Sequence, residues 1–533
     1  MNRAVVLVAL WGLLVCWGTF DFAAAQVTTQ RYDNGRTGQT LSETILDVSN
    51  VNADRFGKLF TRKVDDQVYA QPLYMPNVRL PNGETHNVLY IATVNNTVYA
   101  FDADDPETEA PLWTVNLTPA DARPVKATDV GQNCVPYRDF SDNIGIVGSP
   151  VIDAESGTMF LVARTASGFV QRLHALDIAS GAERADSPVE IVGRTPGSGS
   201  GATDGILTFD PAIHNQRAAL LLANGAVYIA WASHCDTGPY HGWLMAYDAS
   251  TLEQRFARTV TPDGHAGGIW QSNSGPSADE DGNLYLSTGN GTASGHTGGR
   301  DFGCAFLKLS PSGEVLDWFI PHNFAALNEV DLDLGTTGVL VVPDTDLLIG
   351  GAKESKLYVF DRDAMGGFNA ENDSQIFQLV EEAVSGGLFG TPTYWAGPGG
   401  PHVYVWGGYD VGKMYALREA GLEPKPVSAT TAMSDIPGGS LTVSADGARA
   451  GTGIVWAVTA EENANHQTVP GVLRAYDATD LSRELWNSKQ NAARDGLGLL
   501  AKFNTPIVAN GKVYVPTFSK EIAVYGLLPA APQ

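Results

Sequence analysis

Basic residues are scarce in this sequence. Only 34 Lys and Arg stand against 59 Asp and Glu, which leaves a formal net charge of −25. Such an acidic surface repels phosphate backbones and excludes nucleic acid as a partner. Charge of either sign is sparse, at 17% of residues. That is too little for long exposed helices built on Lys–Glu pairs. After the first twenty residues no apolar run is long enough to span a bilayer. Cysteine is rare too, four in all. No CxxCH occurs, so no c-type haem is expected on this chain.

The one long apolar run is N-terminal. Arg3 supplies a short positive region, 5–20 is apolar, and Ala23, Ala24 and Ala25 precede Gln26. Residues 1–25 are therefore expected to be a secretory signal cut after Ala25. An uncleaved anchor is the alternative, but the run is short and Asp21 follows it. The mature chain is expected to be secreted or periplasmic, with no integral membrane domain. Removing Cys16 leaves Cys134, Cys235 and Cys304. In an oxidising compartment this implies one disulfide and one leftover thiol.

Glycine, in contrast, is abundant, with 58 residues. It suits many short strands joined by tight turns. A repeat runs through the chain from about residue 56. Its most regular part is a strand ending in Ala-x-Asp or a variant: VYAFD (98–102), LHALD (173–177), LMAYD (244–248), FLKLS (306–310), LYVFD (357–361), MYALR (414–418), LRAYD (473–477) and EIAVY (521–525). Spacings of roughly 50 to 75 residues fit four-stranded blades with long loops. Alternating apolar residues bury both faces between neighbouring blades. The small Ala fits where blades crowd, and the Asp can accept backbone N–H groups at the next turn. Outer strands follow at 111–115, 255–260, 315–320, 376–380 and 484–488. The Gly/Ser-rich stretch 195–205 is expected to be a surface loop.

The last repeat lacks an outer strand, and FGKLFTRKV (56–64) is an outer strand without partners. Joining them closes the ring. The expectation is an all-β, eight-bladed β-propeller of four-stranded antiparallel blades, closed by pairing of the N- and C-terminal segments. A seven-bladed ring with an irregular insert is the alternative. Residues 26–55 form a lead-in segment, and 56–533 a single propeller.

The chemistry concentrates between His265 and Lys353. This stretch holds Trp270, Asn290 in a Gly-rich turn, the acids Glu329, Asp331 and Asp333, and Lys353 after two glycines. Carboxylates and an amide oxygen are hard ligands suited to Ca²⁺. With a Lys and a Trp wall they suit a flat, anionic, oxygen-rich ligand. Each also has an ordinary role: Trp270 in blade packing, Asn290-Gly291 in a tight turn, the acids on a solvated face, Lys353 in a loop.

These segments resemble the repeats of quinoprotein alcohol dehydrogenases, which are PQQ-binding propellers. GGIW (267–270), GNLYLSTGN (282–290), NEVDLDLG (328–335) and GGAKESKLYVFDR (350–362) occur in the family's order. The resemblance implies the cofactors PQQ and Ca²⁺. Trp270 would stack on the quinone, Asn290 would bind cofactor and metal, and Lys353 would donate to a quinone oxygen. Asp331 would act as general base and metal ligand, and Asp236 would be the nearest acid to a further metal ligand. The family's adjacent cysteine pair is missing; only Cys134 stands in that region, and the Arg expected after it is replaced near Ile144-Gly145. Tyr69 stands where a cofactor-contacting Glu would. A disulfide between Cys134 and Cys235 near the channel mouth is the corresponding hypothesis.

Three functions remain open. One is a PQQ/Ca-dependent dehydrogenase oxidising an alcohol or sugar and passing electrons to a separate acceptor. Another is a non-catalytic scaffold or a carbohydrate- or protein-binding module. The third is a polysaccharide lyase or glycosidase drawing acid–base groups from His214, His234, Tyr240, His241 and His322.

Overall fold

The structure, a computed structural model, describes residues 25–130, 133 and 137–529. The expected signal peptide, apart from Ala25, lies outside the described residues, as does Cys134. The described chain forms eight antiparallel blades, each containing a four-stranded path. All eight Ala-x-Asp-type segments lie in third strands, from Thr97–Asp102 in blade one to Glu521–Leu527 in blade eight. The alanines Ala100, Ala175, Ala246, Ala416, Ala475 and Ala523 are all buried. The strand-ending acids also act as the sequence suggests. Asp102 Oδ1 accepts the N–H groups of Asp104 and Asp105 at 2.7 and 3.0 Å. Asp177 and Asp248 repeat this on the residues that follow them.

Phe56–Lys63 pairs antiparallel with Glu521–Leu527, running from Phe56 opposite Leu527 to Lys63 opposite Glu521. The Phe56 ring lies 5.3 Å from that of Trp456 and 5.0 Å from that of Trp486. Blade eight is thus shared by both ends of the strand sequence, which removes an open edge. The 195–205 stretch is partly a hairpin: Arg194–Pro196 pairs with Ile206–Thr208.

The lead-in segment has a role that its sequence does not announce. Residues 27–38 bond in turn to the first strand of every blade. Val27 exchanges hydrogen bonds with Tyr74, and Thr28 O accepts from Ile152 N. Asn34 donates to Leu222 O, and its carbonyl accepts from Ala278 N. The carbonyls of Gly35, Thr37 and Gly38 accept from Val341, Tyr394 and Val443. The Tyr32 hydroxyl accepts from Val508 N at 2.6 Å. Arg31, Tyr32 and Arg36 adopt positive φ to make these turns. The segment is therefore an axial plug, and it satisfies strand edges that otherwise have no partner at the hub. Gln30 and Arg31 share a small void with Phe389 and Phe503. The same two rings line the main cavity on the other side.

Candidate functional site

A cavity of about 470 Å³ opens above that aromatic pair, lined by residues of several blades. Trp270, Asn290, Asp331, Lys353 and Asp236 all line it, as does Cys235. The sequence-predicted residues therefore meet in one volume. Glu329 is exposed and is not among the lining residues.

Close backbone contacts bring the segments together. Gly289 N donates to Gly268 O at 2.8 Å, and Gln271 N to Gly335 O at 2.9 Å. A Cβ on Gly335 would come within 2.6 Å of Gly289 N. Only glycine lets the loop with the acids approach the loop with Asn290 so closely. Asp331, at φ 57°, turns the chain just after the short helix Phe324–Glu329.

The charged centre is a triad. Lys353 Nζ lies 2.8 Å from Asp331 Oδ1 and 2.7 Å from Asp333 Oδ2. It also lies 5.5 Å from the centre of the Trp270 ring. The Trp270 indole N–H donates to Asp333 Oδ1 at 3.3 Å, and Gly335 N to the same oxygen at 2.8 Å. Burial opposes the Lys353 charge, but the two carboxylates outweigh it and raise its pKa. For Asp333 burial is the largest influence and raises its pKa, against the pull of Lys353. Asn290 Nδ2 donates to Asp331 Oδ1 at 2.8 Å, while its buried Oδ1 has no hydrogen-bond partner. The Tyr240 hydroxyl donates to Asp236 Oδ1 at 2.7 Å. Burial, then Asp236, Asp333 and Asp331, raise the Tyr240 pKa. All three acids therefore act on one neighbourhood.

The cavity offers hard oxygen donors in the carboxylates of Asp236, Asp331 and Asp333 and in the unpartnered Asn290 Oδ1, with Lys353 already paired to two of the carboxylates. No three His, Cys, Asp or Glu groups among the described residues converge on an ion by themselves. A calcium shell here would need oxygens from a ligand as well. Trp270, Phe389 and Phe503 form an aromatic cluster in the cavity lining: the Trp270 ring centre is 6.5 Å from that of Phe389 at 56° and 6.3 Å from that of Phe503 at 71°, while Phe389 and Phe503 stack 5.9 Å apart at 28°.

The wall contributed by blade one is different. Tyr69 is fully buried, with its ring 4.4 Å from both Phe140 and Phe518. Its hydroxyl donates to Asp139 O at 2.8 Å. It fills volume and does not line the cavity. Cys235 is disulfide-bonded and Cys304 is a buried free thiol. The expected partner Cys134 is outside the described residues. His214, His234 and His241 are buried away from the cavity lining, and His322 pairs with Asp373 at 2.9 Å. They do not form one acid–base site.

The sequence places Asp333 among the acids of this stretch but assigns it no role of its own, although it lies two residues from Asp331. Sequence reasoning missed Arg217, Phe389, Lys502 and Phe503, for which no motif gave a signal.

Taken together, the fold is that of an eight-bladed β-propeller. No family model matches the sequence, and no curated protein matches it. Solved structures do. The chain is similar to quinohemoprotein alcohol dehydrogenase from Comamonas testosteroni, with a TM-score of 0.55 and 14% identity over 95% of this chain and 82% of that one. It is similar to the same extent to quinohemoprotein alcohol dehydrogenase ADHIIG from Pseudomonas putida HK5 (TM-score 0.55, 14% identity, 95% and 82% coverage). No helix among the described residues is long and apolar enough to cross a membrane.

Proposed function

We propose that the central cavity binds PQQ and Ca²⁺ and that the protein oxidises an alcohol or sugar, passing electrons to a separate acceptor. One observation carries this reading: Trp270, Asn290, Asp331 and Lys353 come from separate segments and line a single cavity. A bound quinone would accept the two electrons removed from the substrate. The residues of this chain do the rest. Trp270 offers a flat face, and Lys353 holds a positive charge at its edge where a quinone oxygen gains negative charge. Asp331, whose side chain is 69% exposed, can reach a substrate hydroxyl and take its proton. Asn290 and Asp331, with Asp236, would hold the calcium. The disulfide at Cys235 supports an exported, periplasmic or secreted protein.

The packed cluster of Tyr69, Phe140 and Phe518, at the position where the resemblance implies a cofactor-contacting Glu, favours a second reading, a non-catalytic carbohydrate- or protein-binding propeller. One assay separates the two. The purified protein is loaded with PQQ and CaCl₂ and tested for dye reduction with a panel of primary alcohols and aldoses. Turnover that is lost in Asp331→Asn while PQQ is retained supports the dehydrogenase. PQQ binding without turnover on any substrate supports the second reading.

A further inference from the structure

A second hollow, of about 250 Å³, shares no lining residue with the central cavity. Three parts of the chain meet around it: the lead-in turn 42–45, the first two strands of blade one, and the blade-eight turn at Asn510. Two of its side chains serve as scaffold. Glu43 is buried, and backbone takes both of its carboxylate oxygens: Oε1 accepts from Ile45 N at 2.7 Å and Leu46 N at 3.0 Å, and Oε2 from Gly511 N at 3.0 Å. Asn87 Oδ1 accepts from Asn77 N at 3.0 Å, and its amide donates to Asp104 Oδ2 at 2.7 Å. Asp104 is in turn paired with Lys512 Nζ at 2.7 Å.

The other polar side chains have capacity to spare. The Thr44 hydroxyl and the Asn77 amide make no hydrogen bond with any described residue. Ser42 Oγ has only a long contact, 3.4 Å to Thr40 Oγ1. Asn510 donates at a weak 3.5 Å to Asp104 Oδ1 and stands beside the Tyr74 hydroxyl. Tyr74 is buried, and burial, then Asp104, raises its pKa, so its phenol stays neutral. Ile45 and Pro76 add an apolar strip. No basic residue lines the hollow, and its one carboxylate is committed. A charged ligand would find no counter-charge here. A ligand with hydroxyls on its edge and C–H groups on its face matches both kinds of wall.

We propose that this hollow is a second binding site, separate from the central cavity, that takes a neutral sugar ring. Ser42, Thr44, Asn77 and Asn510 bind its hydroxyls, and Ile45 with Pro76 packs on its C–H face. Glu43 and Asn87 hold the loops that carry them. Asn77 and Asn510 sit at φ 55° and 50°, a backbone region that asparagine tolerates better than most residues. Ala25 also lines the hollow, so the expected removal of residues 1–25 opens it further and brings the Gln26 amine to its rim as a donor. The site requires nothing of the quinone and stands beside either function of the central cavity.

The test titrates the intact protein with glucose, galactose, mannose and N-acetylglucosamine, followed by saturation-transfer NMR. Saturable binding of at least one sugar is expected, with a Kd of about 1 mM or tighter. Asn77→Gly and Asn510→Gly remove an amide while tolerating the positive φ, and Thr44→Val removes a hydroxyl with little change of shape. Each should weaken that sugar about threefold to tenfold. Trp270→Ala, in the central cavity, should change it by less than about twofold. PQQ binding is measured in parallel: sugar binding that depends on Asn77, Asn510 and Thr44 keeps this site whether or not PQQ binds. No saturable binding of any of the four sugars to the wild-type protein overturns it. So does binding that is lost in Trp270→Ala and unchanged in all three hollow variants, which places the sugar in the central cavity. Because the wild-type titration decides first and the three variants are independent, one that fails to fold does not block the test.

Discussion

The Lys353 ammonium lies 2.7 Å from Asp333 Oδ2, and their side chains are only 16% and 4% exposed. This buried pair joins the two segments that form the floor of the cavity. Asp333 also receives the Trp270 indole N–H at 3.3 Å, so one carboxylate positions both the cation and the aromatic face.

Lys353→Met should therefore be costly beyond the loss of a contact. It leaves Asp333 buried without its cation, and breaking one side of a buried pair costs about 3 to 5 kcal/mol. Lys353→Met combined with Asp333→Leu should recover part of this, because no unpaired charge remains. Urea denaturation of the two variants against wild type measures both. Equal destabilisation by the single and double variants would show that the charge is not what matters.

The plug makes a separate prediction. Arg36 is fully buried and donates to Thr29, Gln30, Leu220 and Pro276, at 2.7 to 3.1 Å. Arg36→Leu strands the carbonyls of Gln30, Leu220 and Pro276 and should lower stability by roughly 3 kcal/mol or more. Thermal unfolding followed by circular dichroism is the check. A change in midpoint of less than a degree would mean that the plug contributes little to holding the blades together.

Acid sensitivity follows from His214. Burial lowers its pKa from 6.5 to about 4, against the raising effect of the Asp210 carbonyl, which its ring meets at 2.7 Å. The folded state thus binds this proton less readily than the unfolded state. The resulting stability is complete above about pH 6.5 and is lost as pH falls through about 4. Burial also lowers His234 and His241, so they act in the same direction. His214→Asn keeps a donor near Asp210 O. It should flatten the fall in stability between pH 6.5 and 4 by roughly 3 kcal/mol. An unchanged slope in urea melts across that range would contradict this role.

These predictions mix features that the sequence shows with features that it does not. The blades are legible because each repeats the same local physics: alternating apolar residues, a small Ala, and an Asp that caps the turn. Ring closure is legible because FGKLFTRKV lacks partners at one end and EIAVY lacks one at the other. The plug is not. Its residues have no periodicity, since Arg31, Tyr32 and Arg36 follow the hub rather than a strand. The candidate site is half legible. Trp270, Asn290, Asp331 and Lys353 sit in recognisable segments. Arg217, Phe389, Lys502 and Phe503 come from unrelated loops, and only the closed ring brings them together. Tyr69 shows the opposite case: its departure from the family pattern is visible in sequence, but its stacking on Phe140 and Phe518 is not.

The most direct measurement is equilibrium binding of PQQ to the purified protein with and without Ca²⁺, by tryptophan quenching and the quinone's visible absorption. The expected result is saturable, one-to-one binding at about 10 μM or tighter, strengthened by Ca²⁺. Trp270→Ala should weaken it by roughly tenfold, and Asn290→Ala should remove the calcium effect. No saturable binding to the wild-type protein at that concentration, with or without Ca²⁺, would contradict the quinone reading of this cavity.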